Sequence, residues 1–225
     1  MSGTSQSGER GRFITFEGGE GTGKSTQVAR LVERLHAVGI STLETREPGG
    51  SPFAEHIRSL ILDPQTPQHP PLAEALLFSA ARADHVASTI APALSAGTWV
   101  ICDRFIDSTR AYQGAAGGLA SEALDTLEAL VLADTRPDLT IILDIPVDIA
   151  FARVTSRAAQ SSDEPPNDPY ERRGKPFHEA LRAGFLDIAR AEPARCRVID
   201  AAPPADDVAQ AIWLALRAHF AEITD

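Results

Sequence analysis

The chain has 225 residues, of which 43% are hydrophobic and 23% are charged, a composition typical of a globular protein with one sizeable core. Its formal net charge of −10 argues against a nucleic-acid partner or an anionic membrane surface, because both require a basic face. No apolar run is long enough to span a membrane, and residues 1–12 lack the apolar core of a secretory signal, so we expect a cytoplasmic protein that binds no membrane.

The first third of the chain predicts a strand, a glycine-rich loop and a helix, followed by a second strand and helix. The apolar run RFITFE (12–17) ends where the glycines begin, and KSTQVARLVERLHAVG (24–39) repeats apolar residues at helical spacing. A second strand is predicted over 41–47. After the Pro-Gly-Gly break at 48–50, a helix is predicted near 52–62.

The rest of the chain continues this alternation. Nearly continuous apolar runs at 98–103 and 139–146 are typical of strands buried on both faces of a parallel sheet, and a fifth strand is predicted over 195–200. The remaining helices are predicted over 72–94, 121–134 and 206–220. Together these elements predict a three-layer α/β/α sandwich with a five-stranded parallel sheet.

Two segments lack this pattern. Residues 156–176 are rich in Ser, Pro and charge without an apolar period, so we expect a mobile lid there, and residues 1–11 are expected to be a disordered tail. Residues 12–225 then form a single domain. Cys102 and Cys196 match no metal-ligand spacing, and we expect both to be reduced and structural.

The stretch GGEGTGKS (18–25) has the spacing of a phosphate-binding loop, and it lies between a predicted strand and a predicted helix, as that loop requires. Its glycines let the backbone wrap closely around a phosphate, and the helix dipole favours the negative charge. Lys24 would reach the β- and γ-phosphates, and the Ser25 hydroxyl would ligate Mg²⁺. We expect ATP to be bound by Gly18, Gly19, Glu20, Gly21, Thr22, Gly23, Lys24, Ser25 and Thr26.

Such loops serve GTPases, ATP-driven motors and small kinases, so the loop indicates the phosphate donor and not the reaction. The chain has no Asn-Lys-x-Asp motif for reading guanine, which weakens the GTPase interpretation. Its length leaves no room for a second large domain, which weakens the motor interpretation. A small-molecule kinase is favoured.

The stretch DRFIDSTRAYQG (103–114) follows directly on a predicted buried strand. Ligands of open α/β sheets bind at the carboxyl ends of the strands, so Asp103 and Arg104 are expected at the site of chemistry. Asp103 could hold Mg²⁺ together with Ser25, and Arg104 could grip phosphate oxygens. The alternative is that the two form a structural ion pair at the end of the strand.

Five segments in succession resemble the signature segments of bacterial thymidylate kinases, a family of P-loop nucleoside monophosphate kinases. The resemblance covers roughly residues 12–220, and its second and fourth segments are the most specific because sister kinases have other acceptor-site sequences. The five segments read FEGGEGTGKST, TREPGG, LLFSAARADH, DRFIDSTRAYQG and RPDLTIILD. The resemblance implies a P-loop NTPase fold, ATP and Mg²⁺ as donor and cofactor, dTMP as acceptor, and a homodimer.

The resemblance also implies roles for residues around the base and sugar. Phe78 matches the ring that stacks on thymine, although a Phe in a long helix is otherwise usually core. Arg82, four residues on and on the same helix face, matches the arginine that donates to O4 of the base. Thr109 and Gln113 match polar contacts near the base, and Tyr112 matches the residue that crowds the 2′ position of the sugar.

Around the acceptor phosphate, the resemblance implies a converging set of charges. Arg46, Arg58 and Arg104 match the arginines that bind this phosphate. Glu20, inside the glycine loop, matches an acid near the sugar 3′-hydroxyl. Glu47 matches a carboxylate beside the phosphate and the metal. Lys24, Asp103 and Arg104 are therefore the expected catalytic residues at the centre of the site.

Some members of the family carry an arginine in the phosphate loop, and others supply one from the lid. Here the loop position is Gly21, so the lid is expected to contribute. Lids of this kind often read Asp-Arg-x-Glu, whereas residues 168–171 of this chain read DPYE. We expect the catalytic lid arginine to be Arg153 or Arg157, with Arg172 or Arg173 as a substitute.

The predicted reaction is transfer of a phosphoryl group from Mg·ATP to dTMP, directly and in line. The resemblance also implies adenine contacts from residues 200–207, and helices 72–94 and 121–134 could supply the interface of the homodimer. Two alternatives stay open. The chain could be another nucleoside monophosphate kinase, preferring dUMP or CMP, although Arg82 and Gln113 favour thymine. It could also be a catalytically silent nucleotide-binding regulatory protein, as the altered lid motif suggests.

Overall fold

A five-stranded parallel sheet forms the middle layer of the molecule. The computed structural model describes residues 9–67, 69–160, 170 and 173–223, with the backbone alone for 157–160. The strands lie in the order β2-β3-β1-β4-β5 and all run parallel. They are β1 (Phe13–Glu17), β2 (Thr42–Arg46), β3 (Trp99–Asp103), β4 (Leu139–Asp144) and β5 (Cys196–Asp200). The predicted fold class is confirmed.

Helices cover both faces of this sheet. Those described are α1 (Lys24–Ala37), α2 (Pro52–Leu62), α3 (Pro71–His85), α4 (Ala91–Ser95), α5 (Ile106–Thr109), α6 (Ser121–Leu132), α7 (Val147–Gln160), α8 (Lys175–Ala191) and α9 (Ala205–His219). Alternate residues of the central strands enter different cores. In β3, for example, Ile101 belongs to the core under α1 and α9, whereas Val100 and Cys102 belong to a core on the other face. This two-sided burial explains the nearly continuous apolar runs.

The described residues include two π-helical turns, and one of them interrupts a predicted helix. The long helix predicted over 72–94 is α3, then a π-helical turn at Val86–Ile90, then α4. Pro92 has no N–H to donate to the carbonyl of Ser88, and the helix widens just before this proline. The second turn, Arg110–Ala115, carries Tyr112 and Gln113.

The predicted limits of the two irregular segments need correction. Residues 1–8 of the expected tail lie outside the described residues, but Gly11 is buried and its amide donates to the Leu94 carbonyl at 2.8 Å. Gly11 is therefore part of the folded domain, which was predicted to begin at residue 12. The predicted lid, 156–176, includes the last turn of α7 at one end and the start of α8 at the other. Residues 161–169, 171 and 172 lie outside the described residues.

Candidate active site

The strand register brings the predicted motifs to one edge of the sheet. Asp103 at the end of β3 lies opposite Phe16 of β1 and Arg46 of β2. The phosphate-binding loop leaves β1 one residue after Phe16. Because all these strands end at the same edge, the loop, the β2 end and the β3 end surround one space, which agrees with the site expected for an open α/β sheet.

The phosphate-binding loop depends on residues that adopt positive φ. Gly18, Gly21 and Gly23 have φ of 134°, 73° and 90°, which L side chains rarely adopt. Lys24 is buried, and its ammonium donates to the carbonyls of Gly18 at 3.1 Å and Gly19 at 2.8 Å. Burial, and then the Arg104 charge, lower the pKa of Lys24. The lysine is therefore held at the loop by backbone oxygens.

Ser25 and Asp103 form a pair that suits Mg²⁺. The Ser25 hydroxyl donates to Oδ2 of Asp103 at 2.8 Å. Over the described residues, Oδ1 of Asp103 is buried and has no hydrogen-bond partner. A buried carboxylate oxygen without a partner is costly, and it is an oxygen ligand of the type that Mg²⁺ prefers, together with the hydroxyl beside it. These two residues therefore fit the metal that the sequence predicts.

The close approach of α7 accounts for the small residue at position 21. A Cβ on Gly21 would lie 2.5 Å from the carbonyl oxygen of Ala150, a backbone atom of α7. Real Cβ atoms do not come so close, so any side chain here would require α7 to shift. The loop of this chain thus has no room for an arginine at the position where some members of the family carry one.

One cavity of about 300 Å³ joins the loop to the predicted acceptor residues. At one end it is lined by Gly21, Gly23, Lys24, Ser25 and Thr26 of the loop, with Asp103 beside them. All ten residues predicted to bind the acceptor also line it, namely Glu20, Arg46, Glu47, Arg58, Phe78, Arg82, Arg104, Thr109, Tyr112 and Gln113. Gly18, Gly19 and Thr22 lie on the other side of the loop, where they line a much smaller cavity under α8.

The end of the cavity away from the loop, where the predicted base and phosphate contacts lie, is called the acceptor end, and the loop end is called the donor end. Arg82 is a tightly held residue of the acceptor end. Its guanidinium is 2% exposed and donates to Glu47 at 2.6 Å, to the Thr109 hydroxyl at 3.1 Å and to the Phe105 carbonyl at 3.0 Å. His85, which the sequence argument missed, pairs with the other oxygen of Glu47 at 3.0 Å. The Glu47 carboxylate is thus occupied by Arg82 and His85, and it acts on the cavity through the orientation of Arg82.

Arg104 is held beside the phosphate-binding loop in an unusual backbone conformation. Its φ is 69°, and its guanidinium pairs with Glu20, donates to the Gly18 carbonyl at 3.1 Å and lies over the Tyr112 ring. The Tyr112 hydroxyl donates to the same carboxylate of Glu20 at 3.0 Å. Burial acts to raise the pKa of Glu20, but Arg104 and Lys24 outweigh it and lower that pKa to about 2. Glu20 is therefore an anion at every physiological pH.

The two other arginines predicted to bind the acceptor phosphate lie on the β2–α2 side of the cavity. Arg46 forms a pair with Glu55 at 3.2 Å that is largely exposed, and Arg58 on α2 donates to the Pro48 carbonyl at 2.7 Å. Ser51 immediately precedes α2, the helix that carries Arg58. Its hydroxyl caps the helix by accepting from the Ala54 amide at 3.3 Å.

Glu17 is a buried acid that the motif analysis missed. It ends β1 with no exposed surface and accepts from the Phe105 amide at 2.8 Å, the Ser108 amide at 3.2 Å and the Ser108 hydroxyl at 2.6 Å. These bonds fix the turn that carries Arg104. Burial, and next the Asp107 carboxylate, raise the pKa of Glu17 to about 8.

Of the four lid candidates, Arg153 and Arg173 have described side chains, whereas Arg172 and the side chain of Arg157 lie outside the described part of the chain. Arg153 on α7 donates to the carbonyls of Ala201 at 2.8 Å and Ala202 at 2.9 Å, within the segment predicted to contact adenine. Arg173 instead pairs with Glu74 on α3 at 3.1 Å and lies over the rings of Tyr170 and Phe177. Tyr170, another residue that sequence reasoning missed, lines the acceptor cavity.

The family model described as Thymidylate kinase matches residues 16–212 of the chain. The chain belongs to the thymidylate kinase family. It is 51% identical over 212 residues to a thymidylate kinase of Bradyrhizobium diazoefficiens, a match that covers 94% of this chain and 91% of the relative. A thymidylate kinase of Rhodopseudomonas palustris is also 51% identical, over 223 residues, with 95% and 91% covered.

A solved structure shows the same fold. The crystal structure of thymidylate kinase from Ehrlichia chaffeensis superposes with a TM-score of 0.73 at 34% identity, and the match covers 92% of this chain and 99% of that one. Family membership therefore rests on sequence and on fold together. Among the described residues, no helix is both long and apolar enough to cross a membrane.

Proposed function

We propose that the chain phosphorylates dTMP with Mg·ATP to give dTDP and ADP. The observation that carries the proposal is the single cavity with Lys24 and Ser25 at one end and Phe78, Arg82 and Gln113 at the other. A donor phosphate at the loop and a pyrimidine at the far end would place the acceptor phosphate between them. The family to which the chain belongs supports the same reaction.

At the donor end, residues 18–26 would bind the ATP phosphates through loop amides, and Lys24 would exchange its two carbonyl partners for phosphate oxygens. Ser25 and Asp103 would hold Mg²⁺. When bound, Mg²⁺ would neutralise charge on the transferred phosphoryl group and orient it. Arg153 donates to the carbonyls of residues 201 and 202, and it would stabilise the adenine side of the donor site. Arg157 remains the candidate for the catalytic lid arginine.

At the acceptor end, Arg46, Arg58 and Arg104 would surround the phosphate of dTMP. Glu20 would accept from the sugar 3′-hydroxyl, because its carboxylate is ionised and lies in the cavity wall. Tyr112, held by the same carboxylate, would fill the space that a 2′-hydroxyl needs. The site would therefore favour deoxyribose.

The base would stack on Phe78, with Arg82 donating to O4 and with Thr109 and Gln113 at its polar edge. Arg82 has five N–H groups, of which three make the bonds described above, so others are available to a ligand. The acceptor phosphate is itself a good nucleophile. No covalent intermediate or strong base is required, and the chain would act by positioning both substrates and stabilising charge.

A homodimer through α3 and α6 is part of the proposal. Leu72 and Leu76 on α3 are 47% and 51% exposed, and Leu130 on α6 is 77% exposed. Light scattering should show a dimer that Leu76→Asp dissociates. Leu214→Asp is the matched control, because Leu214 is 56% exposed on α9. A monomeric wild-type chain would refute this part alone.

The decisive experiment measures ADP release from Mg·ATP with dTMP, dUMP, UMP, CMP and AMP at equal concentration. We expect a strong preference for dTMP. Preference for another monophosphate would preserve the kinase and overturn the base contacts. ATP binding without ADP release for any acceptor would overturn the catalytic proposal and favour a regulatory protein.

A further inference from the structure

Glu74 links the pocket wall to the end of the lid. On α3 it accepts from Nε2 of Gln113 at 3.1 Å through one carboxylate oxygen, and from Arg173 at 3.1 Å through the other. Gln113 is 1% exposed and the Glu74 side chain is 14% exposed, so the bond between them is largely sheltered from water, whereas the Arg173 side chain is 32% exposed. The proposed function uses Gln113 and leaves Glu74 and Arg173 unexplained.

The direction of the first bond fixes the orientation of the Gln113 amide. A carboxylate accepts hydrogen bonds and has no proton to donate, so the Gln113 NH₂ must face Glu74. Oε1 of Gln113 is then the atom left for the cavity that this residue lines. Arg82 lines the same cavity and can only donate. The base edge therefore meets a donor at Arg82 and an acceptor at Gln113.

This donor and acceptor pattern distinguishes two kinds of pyrimidine. Thymine and uracil present a carbonyl at C4 and an N–H at N3, which complement Arg82 and Oε1 of Gln113. Cytosine presents an amino group at C4 and a lone pair at N3. Its amino group would then face the donor Arg82, and its lone pair would face the acceptor Oε1 of Gln113, so neither hydrogen bond could form. A buried polar group left unpaired costs enough to reject such a ligand by roughly tenfold or more.

We infer that Glu74 is a positioning residue that selects 4-keto over 4-amino pyrimidines by orienting the amide of Gln113, and that Arg173 holds Glu74 in place for this role. Helix α3 supplies the parts in order, because Glu74, Phe78 and Arg82 lie four residues apart along one face. The inference rests on the proposed function and adds the origin of its base selectivity.

The substitution Glu74→Gln tests the inference without changing side-chain size. The single oxygen of the new amide should stay with Arg173, so its NH₂ would face Gln113. Gln113 would then turn its own NH₂ into the cavity. We expect the ratio of kcat/KM for dTMP to that for dCMP to fall about tenfold or more. The ratio for dTMP to dUMP should not change, because these bases share the same edge.

Two further variants separate selection from structural support. Glu33→Gln, at an exposed position on α1, is the matched control and should leave both ratios unchanged. In Gln113→Leu, which removes the amide, adding Glu74→Gln should produce no further change in the dTMP to dCMP ratio. If Glu74→Gln folds poorly, Arg173→Leu gives a second reading, since it should also lower that ratio.

An unchanged dTMP to dCMP ratio in folded Glu74→Gln, or an equal loss for dTMP, dUMP and dCMP, would overturn the inference. So would a further change of ratio in the Gln113→Leu background. These results leave the proposed function intact as long as the wild-type chain phosphorylates dTMP. If the wild-type chain does not phosphorylate dTMP, the proposed function itself fails.

Discussion

The two ends of the cavity satisfy their polar groups in different ways. At the acceptor end, side chains are paired with one another before any substrate arrives: Arg82 with Glu47, and Arg104 with Glu20. At the donor end, the hydrogen bonds described for Lys24 go to backbone carbonyls, and over the described residues one buried oxygen of Asp103 has no partner.

This difference separates stability from activity. Acceptor-end residues in buried pairs, such as Arg82 with Glu47, are expected to support the folded state as well as the substrate, so their loss should reduce both stability and activity. At the donor end, the Lys24 ammonium and the unpaired oxygen of Asp103 are the groups that a nucleotide and its metal would neutralise. Their loss should therefore reduce turnover with little effect on the stability of the fold. The variants below test this separation, beginning with the largest effect.

Lys24→Met should lower turnover about a thousandfold, because it removes the loop cation proposed to contact the transferred phosphoryl group. The free energy of unfolding should change little, since the hydrogen bonds described for this lysine go to two backbone carbonyls. Steady-state ADP release and urea unfolding measure the two quantities. Lys175→Met, at the chain's other lysine, which is exposed on α8, should leave both unchanged. A large loss of stability in Lys24→Met would contradict the comparison.

Arg82→Met should lower the free energy of unfolding by about 3–5 kcal/mol, because it leaves the buried Glu47 carboxylate without its main partner. Urea denaturation measures this loss. Arg46→Met is the control within the same cavity. Its pair with Glu55 is largely exposed, so it should cost less than about 1 kcal/mol while still weakening dTMP binding. Equal stability of the two variants would refute the idea of a pre-paired acceptor end.

Asp103→Asn should lower turnover about a hundredfold and raise the Mg²⁺ concentration needed for half-maximal rate, because it removes the charge proposed to hold the metal. The Ser25 bond can persist to the amide oxygen. Unfolding free energy should not fall. A titration of the rate with Mg²⁺ measures the change in metal dependence. The control is Asp187→Asn, at an exposed position on α8. An unchanged Mg²⁺ dependence would remove Asp103 from the metal site.

Glu17→Gln should change how stability depends on pH. The pKa of Glu17 is raised from 4.5 to about 8 in the folded protein, so between these values the folded state keeps a proton that the unfolded state releases. Stability should therefore fall as pH rises through this window, by up to about 1.4 kcal/mol per pH unit from this group. The variant lacks this contribution. The measurement is the free energy of unfolding of wild type and variant from pH 5 to 8. Identical slopes against pH for the two proteins would show that Glu17 does not contribute to the pH dependence.

The fold and most of the site could be predicted because their signals are local in sequence. Apolar runs mark strands buried on two faces, and the phosphate-binding loop has a fixed spacing between a strand and a helix. The acceptor residues lie in a few contiguous segments whose pattern is specific to one family. The cavity brings these segments together, as the shared strand ends require.

The missed residues depend on partners that are distant in sequence. Glu17 bonds to Ser108, 91 residues later, and Glu74 bonds to Gln113, 39 residues later. No spacing rule connects an acid at the end of a strand with a turn after another strand. The π-helical turn at 110–115, which sets where Gln113 points, also has no simple periodic signal. The lid arginine could not be assigned because residues 168–171 depart from the usual motif.

The contact between Gly21 and Ala150 has a consequence for how such enzymes can change. A loop arginine and a close-packed α7 exclude each other, so replacing Gly21 alone would damage the site before any new charge could assist the reaction. A lineage could exchange one arrangement for the other only by moving the helix and the charge together. An arginine introduced at position 21 by a single substitution would meet the same obstacle, and because the clashing atoms belong to the backbone of α7, the position of that helix is what must be redesigned.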